Sequence, residues 1–355
     1  MNISGIIRVY EKDPIRAIER AQFVADAATH LLDKTASAIE PLKSITIAVW
    51  NDRRFVTELG EDCAASTVIL SELQSSIGKD SRIKIMPIVN GDIFCEALNQ
   101  PLHAQENDGQ THSLIISPEV VHKTFSLPIY EETVRAMYDG AYVSGPTIFG
   151  DLDKEKLLIP DHGIYHSPHT LDESVLHGRI ANTFALWDIH KLRSVGGFPK
   201  ISRKRAPEEE RAFVEHDGKR YELSGVEEII AIMHLIKRYG RGIVPIITSW
   251  ERSNDDFYKV LSLQQKEQHE KKLLTKFIRQ TLMAEFGWNE IQQYIDQGIL
   301  PNDLYLQNII NGDIDPVALL YSGVKEVRIL PLIESHKEII KEVDVVRRIS
   351  LPRCR

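Results

Sequence analysis

Residues 44–50 read SITIAVW and are followed at once by Asn51 and Asp52. A β-branched apolar run of this length, closed by two turn-forming polar residues, predicts a strand covered on both faces. The same pattern recurs on either side. Residues 4–10 (SGIIRVY) form an earlier strand. Asp13-Pro14 then reads as a helix start, with aspartate as N-cap and proline at the first helical position. Ile15, Ile18, Val24, Ala28, Leu31 and Leu32 follow at helical spacing. Downstream, a helix around residues 64–73 leads to a third strand, 83–89 (IKIMPIV), which ends in Asn90-Gly91. A helix over 94–105 precedes a fourth strand, 112–116 (HSLII), ending at Ser117-Pro118-Glu119.

Strands alternating with helices predict an α/β fold, a parallel sheet with helices on both faces. Such sheets bind ligands at the carboxyl ends of their strands. Here those ends carry Tyr10-Glu11, Asn51-Asp52, Asn90-Gly91 and Ser117-Pro118-Glu119, a nucleotide-sized cluster of polar groups on one edge. Further on, residues 141–149 (AYVSGPTIF) read as another strand, and a loop rich in His, Pro and Asp covers 161–176. Residues 182–187 (NTFALW) precede a short helical stretch and the run Val195-Gly196-Gly197-Phe198-Pro199. A helix over 224–239 stops at Gly240, and 243–247 forms a closing strand.

Past Trp250 the chain becomes highly charged, with a helical stripe through Leu263, Leu273, Phe277 and Leu282. Two domains are therefore expected: an α/β domain over 1–253 and a mainly helical extension over 254–355, whose helices leave room for an oligomer. The 43 basic and 51 acidic side chains give a net charge of −8. That balance offers no footprint for nucleic-acid phosphates and no polybasic patch for a membrane surface. The three cysteines, Cys63, Cys95 and Cys354, are far apart and contain no CxxC pair, which argues against a zinc knuckle or a disulfide framework. The N-terminus lacks the pattern of a signal peptide, and no run approaches the roughly 18 apolar residues of a membrane span. A soluble, cytoplasmic protein is expected.

Four features, taken in order, resemble inverting family-2 glycosyltransferases. The first is the series of polar strand ends. The second is Asn90-Gly91-Asp92 followed by Ala97-Leu98-Asn99. The third is AYVSGPTI at 141–148. The fourth pairs Val195-Gly196-Gly197-Phe198 with Gly225-Val226-Glu227-Glu228. The resemblance spans residues 1 to about 250 and rests on the order of the motifs, each of which is weak alone. It implies a GT-A fold, a Rossmann-like, mixed but mostly parallel sheet flanked by helices. It also implies a nucleotide-diphosphate sugar as donor and an acceptor hydroxyl, of unspecified identity, as nucleophile.

Inverting transfer needs a carboxylate to take the proton of the attacking hydroxyl. The resemblance places that base on Glu228, beside Glu227, where the family usually has aspartate. A second reading makes both residues ordinary first-turn acids that suit the helix dipole. The resemblance further implies donor contacts at Tyr10, Asp52, Asn90, Gly91, Asn99 and Glu119, and sugar or acceptor contacts at Gly196, Gly197 and Phe198. For the glycines the alternative is a tight turn, and for Asp52 a turn or cap.

The sequence departs from the family at the donor-metal position. An Asp-x-Asp that grips Mg2+ or Mn2+ is expected after the fourth strand, and Ser117-Pro118-Glu119 stands there. No cofactor is therefore firmly implied, although Mg2+ or Mn2+ stays open, with Glu119, Asp151 and Asp153 as weak candidate ligands. The loop cluster Asp161, His162, His166, His169 and His177 is read as a polar loop over a cleft, the alternative being that two or three imidazoles converge on a transition metal. Arg252, Arg241 or Lys237 are alternatives for neutralising a diphosphate without a metal. Two functional readings follow: a hexosyltransferase-type enzyme, inverting, with metal dependence left open, or a catalytically silent module binding a nucleotide sugar or a partner protein. A nucleotidyltransferase ranks lower, because no glycine-rich loop with an arginine follows the first strand.

Overall fold

The computed structural model describes residues 1–11, 13–50, 61–78, 80–88, 95–123, 125–146, 180, 182–198, 213–216, 219–222, 227–247, 325 and 328–329. Its strands are β1 (Ile3–Val9), β2 (Ser44–Trp50), β3 (Ile83–Ile88), β4 (His112–Ile116), β5 (Val143–Pro146), β6 (Phe184–Asp188), β7 (Phe213–His216), β8 (Lys219–Glu222), β9 (Ile243–Ile247) and β10 (Arg328–Ile329). The helices are α1 (Pro14–Thr35), α2 (Glu61–Ile77), α3 (Glu96–Asn107), α4 (Pro118–Lys123), α5 (Leu127–Tyr138), α6 (Ile189–Ser194) and α7 (Glu227–Tyr239).

Eight strands form one sheet in the order β10-β9-β5-β6-β4-β1-β2-β3, and β7-β8 form a separate hairpin. Strand β6 runs antiparallel to both of its neighbours, β4 and β5; the other described pairings in the large sheet are parallel. The expected mixed, mostly parallel sheet flanked by helices is thus present. From β1 the chain steps outward to β2 and β3, then returns to the other side of β1 to lay down β4. A reversal of this kind opens a crevice at the carboxyl edge, between β1 and β4.

Both faces of the sheet are covered, which is why its strands read as unbroken apolar runs. Ile3, Ile7, Ile45, Ile47, Leu114 and Ile116 face a core shared with α1, α2, α4 and α5. On the opposite face Ala48 and Ile88 pack against Ala97 of α3. Helix α1 begins as expected, with Asp13 Oδ1 accepting from Ile15 N–H at 2.9 Å. Its buried line differs from the expected one. Ile15 is 85% exposed and Ile18 45%, while Ala17 and Ala21 are fully buried with Val24, Ala28 and Leu31. At about 100° per residue Ile15 lies on the side of the helix opposite Val24, and small alanines let α1 sit close to the sheet.

Glu40 closes the amino end of the sheet. It accepts from the Met1 ammonium at 2.7 Å and from the Tyr138 hydroxyl, while Tyr130 OH donates to its carbonyl at 2.7 Å. The ammonium and then Tyr138 hold the Glu40 carboxyl below its ordinary value of 4.5. A folded value below the unfolded one gives stability that is full above about pH 4.5 and fades as pH falls through the folded value. In thermal melts between pH 3 and 6, Glu40→Gln should therefore shrink the acid loss of Tm by about 1–3 °C. An unchanged acid profile would show that the contact contributes nothing.

Several elements were not expected from sequence: α4, α5, the β7-β8 hairpin and β10. Strand β10 is two residues long and pairs with β9, so residues beyond 254 return to the α/β sheet. Arg328 ties it to α5 through Glu132 at 3.0 Å and through Asp139. The expected boundary at 253–254 itself lies outside the described residues. Among the described residues no helix is long and apolar enough to cross a membrane.

Candidate functional site

Four of the named motifs become one connected structure. Asn99, in the first turn of α3, offers its side-chain amide to the backbone of Phe198. Asn99 Nδ2 donates to Phe198 O at 2.8 Å, and Phe198 N–H donates to Asn99 Oδ1 at 2.9 Å. The turn before it holds Gly196 at φ 92° and Gly197 at φ 75°, a left-handed backbone that glycine tolerates best. A Cβ on Gly197 would stand 2.6 Å from Asn99 Oδ1. Gly197 and Asn99 therefore have a packing role, closing the Gly-Gly-Phe turn against α3, and Gly196 supplies left-handed backbone to that turn. No ligand contact is needed to explain them.

Phe198 is buried and meets Trp187 edge-on, with ring centroids 5.2 Å apart and an interplanar angle of 86°. Trp187 Nε1–H donates to Asn182 Oδ1 at 3.0 Å. Asn182 N–H donates to Glu228 Oε1 at 3.3 Å. Asn99, Phe198, Trp187, Asn182 and Glu228 thus form a continuous chain running from α3 across the sheet to α7.

Glu228 lies at the carboxyl edge. Strand β6 is antiparallel, so its start sits beside the ends of β4 and β5. Ser117 N–H donates to Thr183 O at 3.0 Å, and a Cβ on Gly145 of β5 would collide with the Phe184 carbonyl oxygen. That close approach explains the glycine in the AYVSGPTI motif. Glu228 is only 6% exposed, and its Oε2 is buried without a hydrogen-bond partner among the described residues. Thr183 Oγ1, one residue from the Asn182 N–H that holds Glu228, is also buried and without a hydrogen-bond partner among the described residues. A first-turn acid serving only the helix dipole would normally face water. A buried carboxylate with one oxygen unmatched is costly and calls for a partner. Glu227 opens α7.

Two strands from β6, Tyr10 follows β1 and packs edge-on against Trp50 at the end of β2, with centroids 5.2 Å apart and planes at 73°. Trp50 is buried and Tyr10 half-buried. Glu119 opens α4 and accepts from Arg20 of α1 at 2.6 Å. The expected contacts Asp52, Asn90 and Gly91, the acids Asp151 and Asp153, the His-rich loop and Arg252 lie outside the described residues. Arg241 is placed differently from the sequence reading. It precedes β9, which is parallel to β5, so it stands at the amino edge, far from Glu228. Lys237, in the last turn of α7, lies toward that same edge. Arg241 is therefore not placed to meet a diphosphate at the carboxyl edge.

The carboxylate at the end of β4 does not by itself suit Mg2+ or Mn2+. These ions take several oxygen ligands, and Glu119 is already matched by Arg20. Among the described residues no three His, Cys, Asp or Glu side chains are grouped to hold an ion. Asn182 and Thr183 were not anticipated from sequence; a polar pair before a short apolar run carries no recognisable signal.

No family model and no curated protein matches the chain. Among solved structures, a cytidylyltransferase from Leptospira borgpetersenii aligns over 85% of this chain and 98% of its own, with a TM-score of 0.36 and 8% identity. A likeness of that size carries no argument about chemistry.

Proposed function

We propose that this chain binds a nucleotide-diphosphate sugar along the carboxyl edge and transfers the sugar to an acceptor hydroxyl, with Glu228 as general base. The observation carrying this reading is Glu228 itself, buried, anchored through Oε1 by Asn182, and with Oε2 unpartnered among the described residues. In the step, the acceptor O–H proton passes to Oε2 while the acceptor oxygen bonds to the anomeric carbon. The bond from that carbon to the diphosphate breaks, and its electron pair leaves on the diphosphate oxygen.

Spacing along the edge supports the same reading. Three inter-strand steps separate β2 from β6, about 14 Å at ordinary strand spacing. That distance is comparable to an extended nucleoside-diphosphate sugar. A base near Tyr10 and Trp50, a diphosphate over the switch between β1 and β4, and a sugar near Glu228 would fill it. The Arg20–Glu119 pair favours transfer without a metal, since the acid at the donor-metal position already has a cationic partner.

UDP-glucose, GDP-mannose and dTDP-glucose are the probes that test this, each with and without EDTA. At least one should bind by calorimetry and release nucleoside diphosphate, at a rate EDTA leaves within about twofold. Binding without release would favour the silent module, which the neutralised Glu119 also suits. Absence of binding by all three would remove the transferase and the silent nucleotide-sugar binder, and leave a module that binds a partner protein.

A further inference from the structure

Among the described residues the Glu228 carboxylate receives a single hydrogen bond, from Asn182 N–H to Oε1 at 3.3 Å. The orientation of the carboxylate therefore depends on the backbone that presents this N–H. Asn182 lies in a turn, two residues before β6 begins at Phe184. Turn backbone at a sheet edge is ordinarily more mobile than the strands it joins. Here it is tied down from within the sheet: Asn182 Oδ1 accepts from Trp187 Nε1–H at 3.0 Å, five residues along the chain. Five residues of extended strand span about 16 Å, more than an asparagine and an indole reach together, so the turn folds back over β6. The side-chain bond closes that fold. Asn182 is 4% exposed and Trp187 fully buried, so water does not compete for it. Trp187 is in turn a fixed point. Strand β6 is paired on both sides there, with Trp187 opposite Ser113 of β4 and Val143 of β5. Its ring meets Phe198, whose backbone N–H and C=O are both held by Asn99.

We propose that Asn182 is a positioning residue for Glu228: its side chain, locked to the Trp187 indole, holds its backbone N–H where that group orients the carboxylate for proton abstraction. This role rests on the transferase reading and deepens it. Asn182 itself touches no reacting atom. A base displaced by about 1 Å can lose about a hundredfold in rate, so the stiffness of its one anchor bears directly on turnover. Removing either end of the Asn182–Trp187 bond leaves the other end buried and unmatched, and the turn relieves that cost by moving. Donor binding does not pass through this bond.

The test uses the full chain and whichever of UDP-glucose, GDP-mannose and dTDP-glucose the wild type turns over fastest, read as release of nucleoside diphosphate. Asn182→Ala removes the acceptor of the bond, and Trp187→Phe removes the donor while keeping a ring against Phe198. Each should lower kcat about tenfold to a hundredfold and leave the donor KM within about threefold. Both break one bond, so the double variant should stay within about threefold of the slower single variant rather than multiply the two losses. In the Glu228→Gln background Asn182→Ala should cost nothing further, because no base remains to be positioned. If Trp187→Phe fails to fold, the pairing of Asn182→Ala with Glu228→Gln decides alone. Tyr142→Phe controls for general loosening: it deletes a hydroxyl that donates to Gly240 O at 3.1 Å, at the amino edge. It should lower Tm as Asn182→Ala does and leave kcat unchanged. A lowered Tm with wild-type kcat in Asn182→Ala would make Asn182 structural and overturn the proposal. An equal loss in the Glu228→Gln background also overturns it, and either result leaves the transferase reading standing. No release from any donor by the wild type overturns the transferase reading and this role with it.

Discussion

Glu228→Gln is expected to lower sugar transfer by about a hundredfold to ten-thousandfold while donor affinity changes less than about threefold. General-base catalysis contributes about 10²–10⁴ in rate, and glutamine keeps the side-chain shape but cannot accept the proton. The same substitution should raise stability. The wild-type chain buries a carboxylate with Oε2 unpartnered among the described residues, while Oε1 takes a single 3.3 Å hydrogen bond from Asn182. An unmatched buried charge is worth about 1–3 kcal/mol of destabilisation or more. A neutral amide at that place should therefore lift Tm by about 2–6 °C. The two readouts in opposite directions form a signature that a structural acid would not give. If Glu228 were only a helix-start acid, Glu228→Gln would lower Tm slightly and leave release of the nucleoside diphosphate intact.

Asn99→Ala is expected to cost about 2–4 kcal/mol, which corresponds to a fall in Tm of roughly 5–10 °C. It removes both hydrogen bonds that fix Phe198, at 2.8 and 2.9 Å, and leaves a backbone N–H and C=O without those partners. Gly197→Ala should cost about 2–3 kcal/mol on its own, from a side chain forced to φ 75° and placed 2.6 Å from Asn99 Oδ1. The two effects should not add. Once Asn99 is cut back the steric partner is gone, and Gly197→Ala should then cost only about 1 kcal/mol for its backbone. A double-mutant cycle by chemical denaturation measures this directly. Strict additivity would show that the Asn99 amide and the Gly-Gly-Phe turn are not coupled.

Both substitutions bear on why motifs that look like ligand contacts in sequence can be structural in the fold. Asn99 and Gly197 lie 98 positions apart, and each alone is an unremarkable residue. Their pairing became visible only when α3 and the turn after α6 were seen side by side. The AYVSGPTI run has a similar explanation. Gly145 lets β5 approach β6, and Gly242 accommodates the Tyr142 ring, whose hydroxyl donates to Gly240 O at 3.1 Å. A run of small residues in sequence thus marks close packing between elements, whether or not a ligand is also near.

The sequence by itself determined the alternation of strands and helices through β4, the polar character of their carboxyl ends, the Asp13 cap and the late helix that carries Glu228. These are local properties: apolar periodicity, β-branching and caps act within a few residues, so they can be read without knowing the partners. The tertiary structure decided the rest. It set β6 antiparallel between β4 and β5, turned Ile15 outward, and matched Glu119 with Arg20. It brought Glu228 to the Asn182 N–H across 46 residues of chain. An apolar strand reads alike in either direction, and whether a buried atom has a partner depends on groups that long-range packing brings to it. For that reason the candidate base could be named from sequence, while the strand that holds it could not.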